Sequence, residues 1–209
     1  MNRIRLTKLM EQSYDFNVKE VLLTAWDLFK RQPLYSVGYT GFIISLELLF
    51  LVYLKEYALL FSIFLAGPLF AGFLIAANKI KQDEDVNYQD FFKGFQYYIP
   101  VILIWLISQI LVAFGLLLLV IPGVYLMVGY SMGLMMHIFA GLDFWDSMEY
   151  SRRLVTVRWW KFFVLILILI GINLLGALLI LGIFVTLPVT MYALYVVFEM
   201  ITHKVLTED

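Results

Sequence analysis

The sequence predicts an all-α integral membrane protein with six transmembrane helices paired as three hairpins, each preceded by a cytoplasmic amphipathic segment. Three observations lead there. Hydrophobic residues make up 63% of the chain and charged residues 15%, with a mean hydropathy of +0.89, whereas soluble domains carry about 25% charged residues. The chain also runs uncharged for 49 residues from Gly94 to Leu142. A helix rising about 1.5 Å per residue crosses a bilayer core of about 30 Å in about 20 residues, so this run holds two spans. Finally, lysine and arginine fall almost wholly on one side of the spans so defined, as they do in helical membrane proteins.

Met1 to Asp15 is polar, with Arg3, Arg5 and Lys8, and reads as a surface-lying or disordered tail. Asn17 is a suitable N-cap for a helix reaching about Arg31. On that helix Val18, Val21, Leu22, Ala25, Trp26 and Phe29 share one face, with Lys19, Glu20, Asp27 and Lys30 opposite. The spacing suits a helix lying in the membrane interface, or one that packs its apolar face on the bundle. Residues 1–33 are thus a cytoplasmic tail and interfacial helix.

Hairpin 1 occupies 34–77. Pro33 opens a span to about Tyr53, Leu54-Lys55-Glu56-Tyr57 turns, and a second span runs from Ala58 to Ala77. Residues 78–99 form a polar cytoplasmic connector ending in Asp90-Phe-Phe-Lys-Gly-Phe95. Hairpin 2 occupies 100–142 and is broken at Ile121-Pro122-Gly123, because proline followed by glycine favours chain reversal. Residues 143–161 form a second amphipathic connector with Arg152, Arg153 and Arg158. Hairpin 3 occupies 162–201; its 37 uncharged residues from Phe162 to Phe198 need a break, bracketed by Gly182 and Pro188. A polar tail, 202–209, closes the chain. Pro68, Pro122, Gly123 and Pro188 are the expected hairpin-turn residues.

Fourteen of the 15 basic residues lie on one side of this layout and only Lys55 on the other, which predicts both termini in the cytoplasm. Tyr35, Tyr97, Tyr98, Trp159 and Trp160 fall at the cytoplasmic interface, and Tyr53 and Tyr57 flank the outer turn, the depths such rings prefer. Met1 to Gln32 is charged throughout, and no small-residue cleavage site follows a short apolar core. The first span is therefore expected to serve as the insertion signal. The hairpins also read as a repeat: Asp27-Leu-Phe-Lys30, Asp90-Phe-Phe-Lys93 and Asp146-Ser-Met-Glu149 each precede a span. Such a repeat implies three hairpins about an axis normal to the membrane.

Asp90-Phe-Phe-Lys-Gly-Phe95, a span, Ile121-Pro122-Gly123 with Ser131 further on, and Thr186-Leu-Pro188 before a last span together resemble a group of bacterial inner-membrane proteins. That group includes the YciC-like family and the membrane domain attached to some glycerophosphodiester phosphodiesterases. The resemblance covers most of the chain after Asn17. It implies a six-helix fold in the bacterial cytoplasmic (inner) membrane with no assigned activity. Where a phosphodiesterase is attached, catalysis belongs to that soluble domain, so no activity is expected to carry over.

Net charge −1 argues against nucleic-acid binding. With no cysteine there are no disulfides and no thiolate metal sites, and His137 and His203 lack a carboxylate cluster, so no metal and no cofactor are expected. No nucleophile elbow, P-loop or paired carboxylates occur, so an enzyme is not expected. Glu47 is the one acid well inside a span. It either snorkels to the outer interface or forms an intramembrane polar site with Asn173 and Gln109 from facing helices. Gly67 and Ala71, Gly72 and Ala76, and Gly129 and Gly133 have the four-residue spacing that lets helices pack closely, or that lines a narrow path. The function read from this is a scaffold or accessory subunit binding lipid, other membrane proteins or a second copy of the chain. The alternative is a small transporter or channel-like protein for a small or lipid-like solute, proton-linked through Glu47.

Overall fold

The computed structural model describes residues 3–12 and 14–207. The chain is 86% helix, with no strand among the described residues. In order the helices are α1 (Arg3–Gln12), α2 (Val18–Arg31), α3 (Pro33–Val52), α4 (Lys55–Lys81), α5 (Tyr88–Leu118), α6 (Val120–Ile138), α7 (Phe144–Val157), α8 (Trp159–Leu178) and α9 (Ile183–Thr207). Six of them, α3 to α6, α8 and α9, are long and apolar enough to cross a membrane. The chain divides into two compact units, one of residues 1–21, 99–168 and 197–209, the other of residues 22–98 and 169–196.

In the second unit α3 and α4 pack antiparallel. Phe50 meets Phe61 near the reversal, with ring centroids 5.8 Å apart, and at the other end the Tyr39 ring lies 4.9 Å from Phe73. Pro33 takes the first position of α3, where a helix has no use for the missing N–H. The chain turns back at Tyr53 and Leu54, so Pro68 does not make this turn and is buried inside α4. Lacking an N–H, Pro68 follows a π-helical stretch, Phe61–Leu65, of the kind that relieves an interrupted bond ladder. The C-terminal part of α8 and the N-terminal part of α9 also pair, Asn173 Nδ2 donating to Thr190 Oγ1 and a Cβ on Gly176 falling 2.2 Å from Thr186 Oγ1. Their reversal is at residues 179–182, where Ile180 has φ +56°. Pro188 lies buried within α9, not at that turn.

In the first unit α5 and α6 run antiparallel. A Cβ on Gly115 would lie 2.9 Å from Gly123 Cα, and one on Gly133 would lie 3.2 Å from Ile104 Cγ2. The reversal is one extended residue, Leu119 (φ −156°, ψ 135°), with Pro122 and Gly123 just inside α6. α6 breaks at residues 130–132, and Ser151 of α7 bridges the break. It donates to Gly129 O (2.7 Å) and accepts from Met132 N (3.1 Å). The expected N-terminal tail is instead a helix with Leu6 and Leu9 buried. The side chains of Arg3, Arg5 and Lys8, and residues 1, 2, 13, 208 and 209, lie outside the described residues. α2 buries Val21, Ala25, Leu28 and Phe29 in the protein and leaves Trp26 exposed, so part of its apolar face packs on the protein.

Candidate functional site

Polar chemistry gathers where the charged segments fold back on apolar helices. In the second unit the 3₁₀ start of α5, Tyr88–Tyr97, lies along α4. Asn87 and Asp90 form a reciprocal capping box, Asn87 N donating to Asp90 Oδ2 at 2.8 Å. Lys79 Nζ reaches the same oxygen at 3.0 Å and Lys93 Nζ reaches Oδ1 at 2.6 Å. Asp90 is 4% exposed, so each buried carboxylate oxygen is matched by an ammonium, as burial of a charge requires. The backbones approach too closely for any side chain between them: a Cβ on Gly72 would sit 1.8 Å from Phe91 O, and one on Gly94 would sit 2.1 Å from Pro68 O. Tyr39, fully buried, ties α3 in by donating to Leu69 O (3.0 Å) while its ring packs on Phe91 and Phe92. Ser36 Oγ and Tyr192 OH, both fully buried, lie 2.7 Å apart and join α3 to α9.

The first unit has a more open counterpart. α7 runs back along α6, and Arg152 lies over Gly129. Its guanidinium donates to Glu149 (2.8 and 3.0 Å) and to Tyr125 OH (3.2 Å), while Arg153 reaches the same carboxylate at 2.6 Å. The Arg152 hydrogen bond, and less strongly that of Arg153, holds the Glu149 carboxyl below the ordinary glutamate value. Tyr125 OH also meets Thr156 Oγ1 (2.8 Å), and its ring stacks 6.3 Å from Trp159. Nearby, Lys161 hydrogen-bonds to Asp15, lowering the Asp15 pKa, and Arg158 donates to Tyr14 O. A cleft of about 730 Å³ opens there, lined by Asp15, Phe16, Asn17, Val18, Glu20, Trp160, Lys161 and Val164. In the second unit a smaller apolar groove of about 230 Å³ is lined by Leu22, Trp26, Ile172, Val185, Thr186 and Val189.

Glu47 is exposed on α3, beside exposed Leu48 and Leu49. Asn173 is occupied with Leu169 O and Thr190, and Gln109 is exposed on α5. Asn173 thus bonds within the α8–α9 pair. Gly67, Ala71, Gly72, Ala76, Gly129 and Gly133 are all buried. The partners of Gly72 and Gly129 are the returning charged segments. His137 Nδ1 bonds Leu142 O (2.6 Å), and Glu199 lies 3.8 Å from His203. Sequence reasoning missed Asp90 as a buried hub, and Tyr39, Ser36 and Ser151 as bridges. The Asn87-x-x-Asp90 spacing was an available sign of the first; nothing local marks the others. No group of three or more histidine, aspartate or glutamate side chains able to hold a metal occurs among the described residues.

Six apolar helices of spanning length make the chain a multi-pass helical membrane protein. Comparison with protein-family models, with curated proteins and with solved structures found no match in any of the three.

Proposed function

We propose that this chain is a membrane scaffold or accessory subunit that binds lipid or partner membrane proteins through its helices, without catalysis. One observation carries this reading. The only charged side chain buried among the described residues is Asp90, and both of its oxygens are taken by lysines. Coupled transport needs an ionisable group free to change its charge inside the membrane. Asp90 is committed to holding the returning segment on α4, and Glu47 faces outward. The basic-residue bias supports placement in a bacterial cytoplasmic membrane with both termini inside. Tyr88–Tyr97 lies on α4, α7 lies on α6, and α2 shares a groove with α9, which supports a repeat in how each charged segment meets a neighbouring hairpin, whatever depth that hairpin reaches.

The test uses the intact chain in liposomes and in lipid nanodiscs. Proteoliposomes enclosing a pH-sensitive dye should take up protons no faster than empty ones, and Glu47→Gln should change nothing. Native mass spectrometry from nanodiscs should retain phospholipid or a stoichiometric protein partner. Proton uptake abolished by Glu47→Gln would contradict the proposal.

A further inference from the structure

The α5–α6 pair is long and apolar enough to cross a bilayer, yet its polar groups stand at the wrong height for crossing. Tyr125 carries the Arg152 and Thr156 contacts and stacks on Trp159. Arg153 on α7 and Arg158 just after it keep 57% and 43% of their side chains exposed. From Tyr125 to the reversal at Leu119 is six residues, about 9 Å of helix. The other limb agrees. Ile104 faces Gly133 and Gly115 faces Gly123, so exposed Gln109, between them, stands at about the height of Gly129, which Arg152 covers. Beyond Tyr125 the hairpin is apolar, and its end is bare: Leu117 is 82% exposed, Leu119 69% and Ile121 83%. The tip has no tyrosine, tryptophan or charge to mark a far interface.

If the pair crossed the membrane, Leu119 would lie at the far interface and the exposed arginines would lie within the hydrocarbon. α7 lies along α6 from Ser151 at the Gly129–Met132 break to Thr156 at Tyr125. Glu149, paired with both Arg152 and Arg153, would then follow the arginines in, and a short acidic side chain cannot snorkel out.

We infer that α5–α6 is a re-entrant hairpin. Its charged belt lies in the headgroup layer, and its tip from Leu116 to Ile121 ends among the acyl chains of that same leaflet. The occupant of this bare surface is lipid hydrocarbon, because the apolar tip begins where the polar belt ends. A tip about 9 Å beyond the belt stops short of the midplane of a core about 30 Å thick. The hairpin enters and leaves on one side, so the sidedness of the remaining chain is unaffected. It works as a monolayer anchor, whatever partner the protein serves.

The chain has no cysteine, so single-cysteine spin labels report depth directly. Gln109→Cys and Leu119→Cys are both exposed positions; Leu117→Cys provides a second reading of the tip. In liposomes the label at 109 should be the more accessible to a water-soluble nickel relaxant. Labels at 119 and 117 should be the more accessible to oxygen, which concentrates in hydrocarbon. Equal or greater nickel accessibility at the tip than at 109 would overturn the inference.

Discussion

The α3–α4 and α5–α6 pairs have similar length and apolarity, yet they differ in how far they extend past their polar layer. In α3–α4 the returning segment touches α3 at Gly38, where Tyr88 OH donates to the carbonyl. Fifteen residues separate Gly38 from Tyr53, about 22 Å of helix, and the tip is polar, with Tyr53, Lys55, Glu56 and Tyr57 all exposed. In α5–α6 the corresponding reach is six residues, and the tip is bare hydrocarbon. Hydropathy alone does not separate the two pairs. The depth a pair attains is set by where the following charged segment folds back, and that is a tertiary fact.

The largest expected difference lies between one glycine of each pair, Gly72 and Gly133. Gly72→Ala puts a methyl onto a backbone carbonyl, Phe91 O, 1.8 Å from the new atom. It should abolish folded protein in detergent, read as loss of the monodisperse peak by size exclusion. Gly133→Ala meets only an Ile104 methyl at 3.2 Å and should keep the peak with a small drop in thermal midpoint. The reverse order would mean that the clamp on α4 is not what holds that pair.

A smaller difference separates the two charged networks. Asp90→Ala leaves lysines facing a buried site and should cost about 3–5 kcal/mol. Glu149→Ala removes a half-exposed partner and should cost about 1 kcal/mol or less. Thermal unfolding in one detergent compares them. The Glu149 network also has a pH signature. Because its carboxyl is held below the ordinary glutamate value, its contribution is present above about pH 4.3 and is lost as pH falls through the lowered value. The difference in midpoint between the natural chain and Glu149→Gln should therefore be constant near neutrality and shrink in acid. A difference that grows in acid would contradict the network.

The smallest effect concerns the two bare turns. Ile180 is a β-branched residue at φ +56°, a strain of about 1 kcal/mol or more, whereas Leu119 is extended. Ile180→Gly should raise the thermal midpoint slightly and Leu119→Gly should not.

The helical class and the positions of six apolar helices were legible because they depend on length, composition and the polar turns between runs. The turns were less so. Pro68 and Pro188 read as breaks, but each is carried inside a helix, the first after a π stretch and the second within α9. Gly72 was legible as a site of close approach, but its partner was not, since nothing local says that Phe91 returns to it. Asp90 read as one charge in a polar connector. Its burial follows from Lys79 lying in the last turn of α4 and Lys93 one turn ahead. Ser36, Tyr39 and Ser151 are ordinary residues in sequence, and their roles exist only once the distant carbonyls and hydroxyls they meet are in place.

The contrast in depth is tested most directly by side-specific labelling. In sealed inside-out and right-side-out vesicles, Lys55→Cys should react with an impermeant maleimide from the face opposite Thr156→Cys. Leu119→Cys should react from neither face until the membrane is dissolved. Labelling of Leu119→Cys from the same face as Lys55→Cys would show that both pairs cross, and would contradict the account.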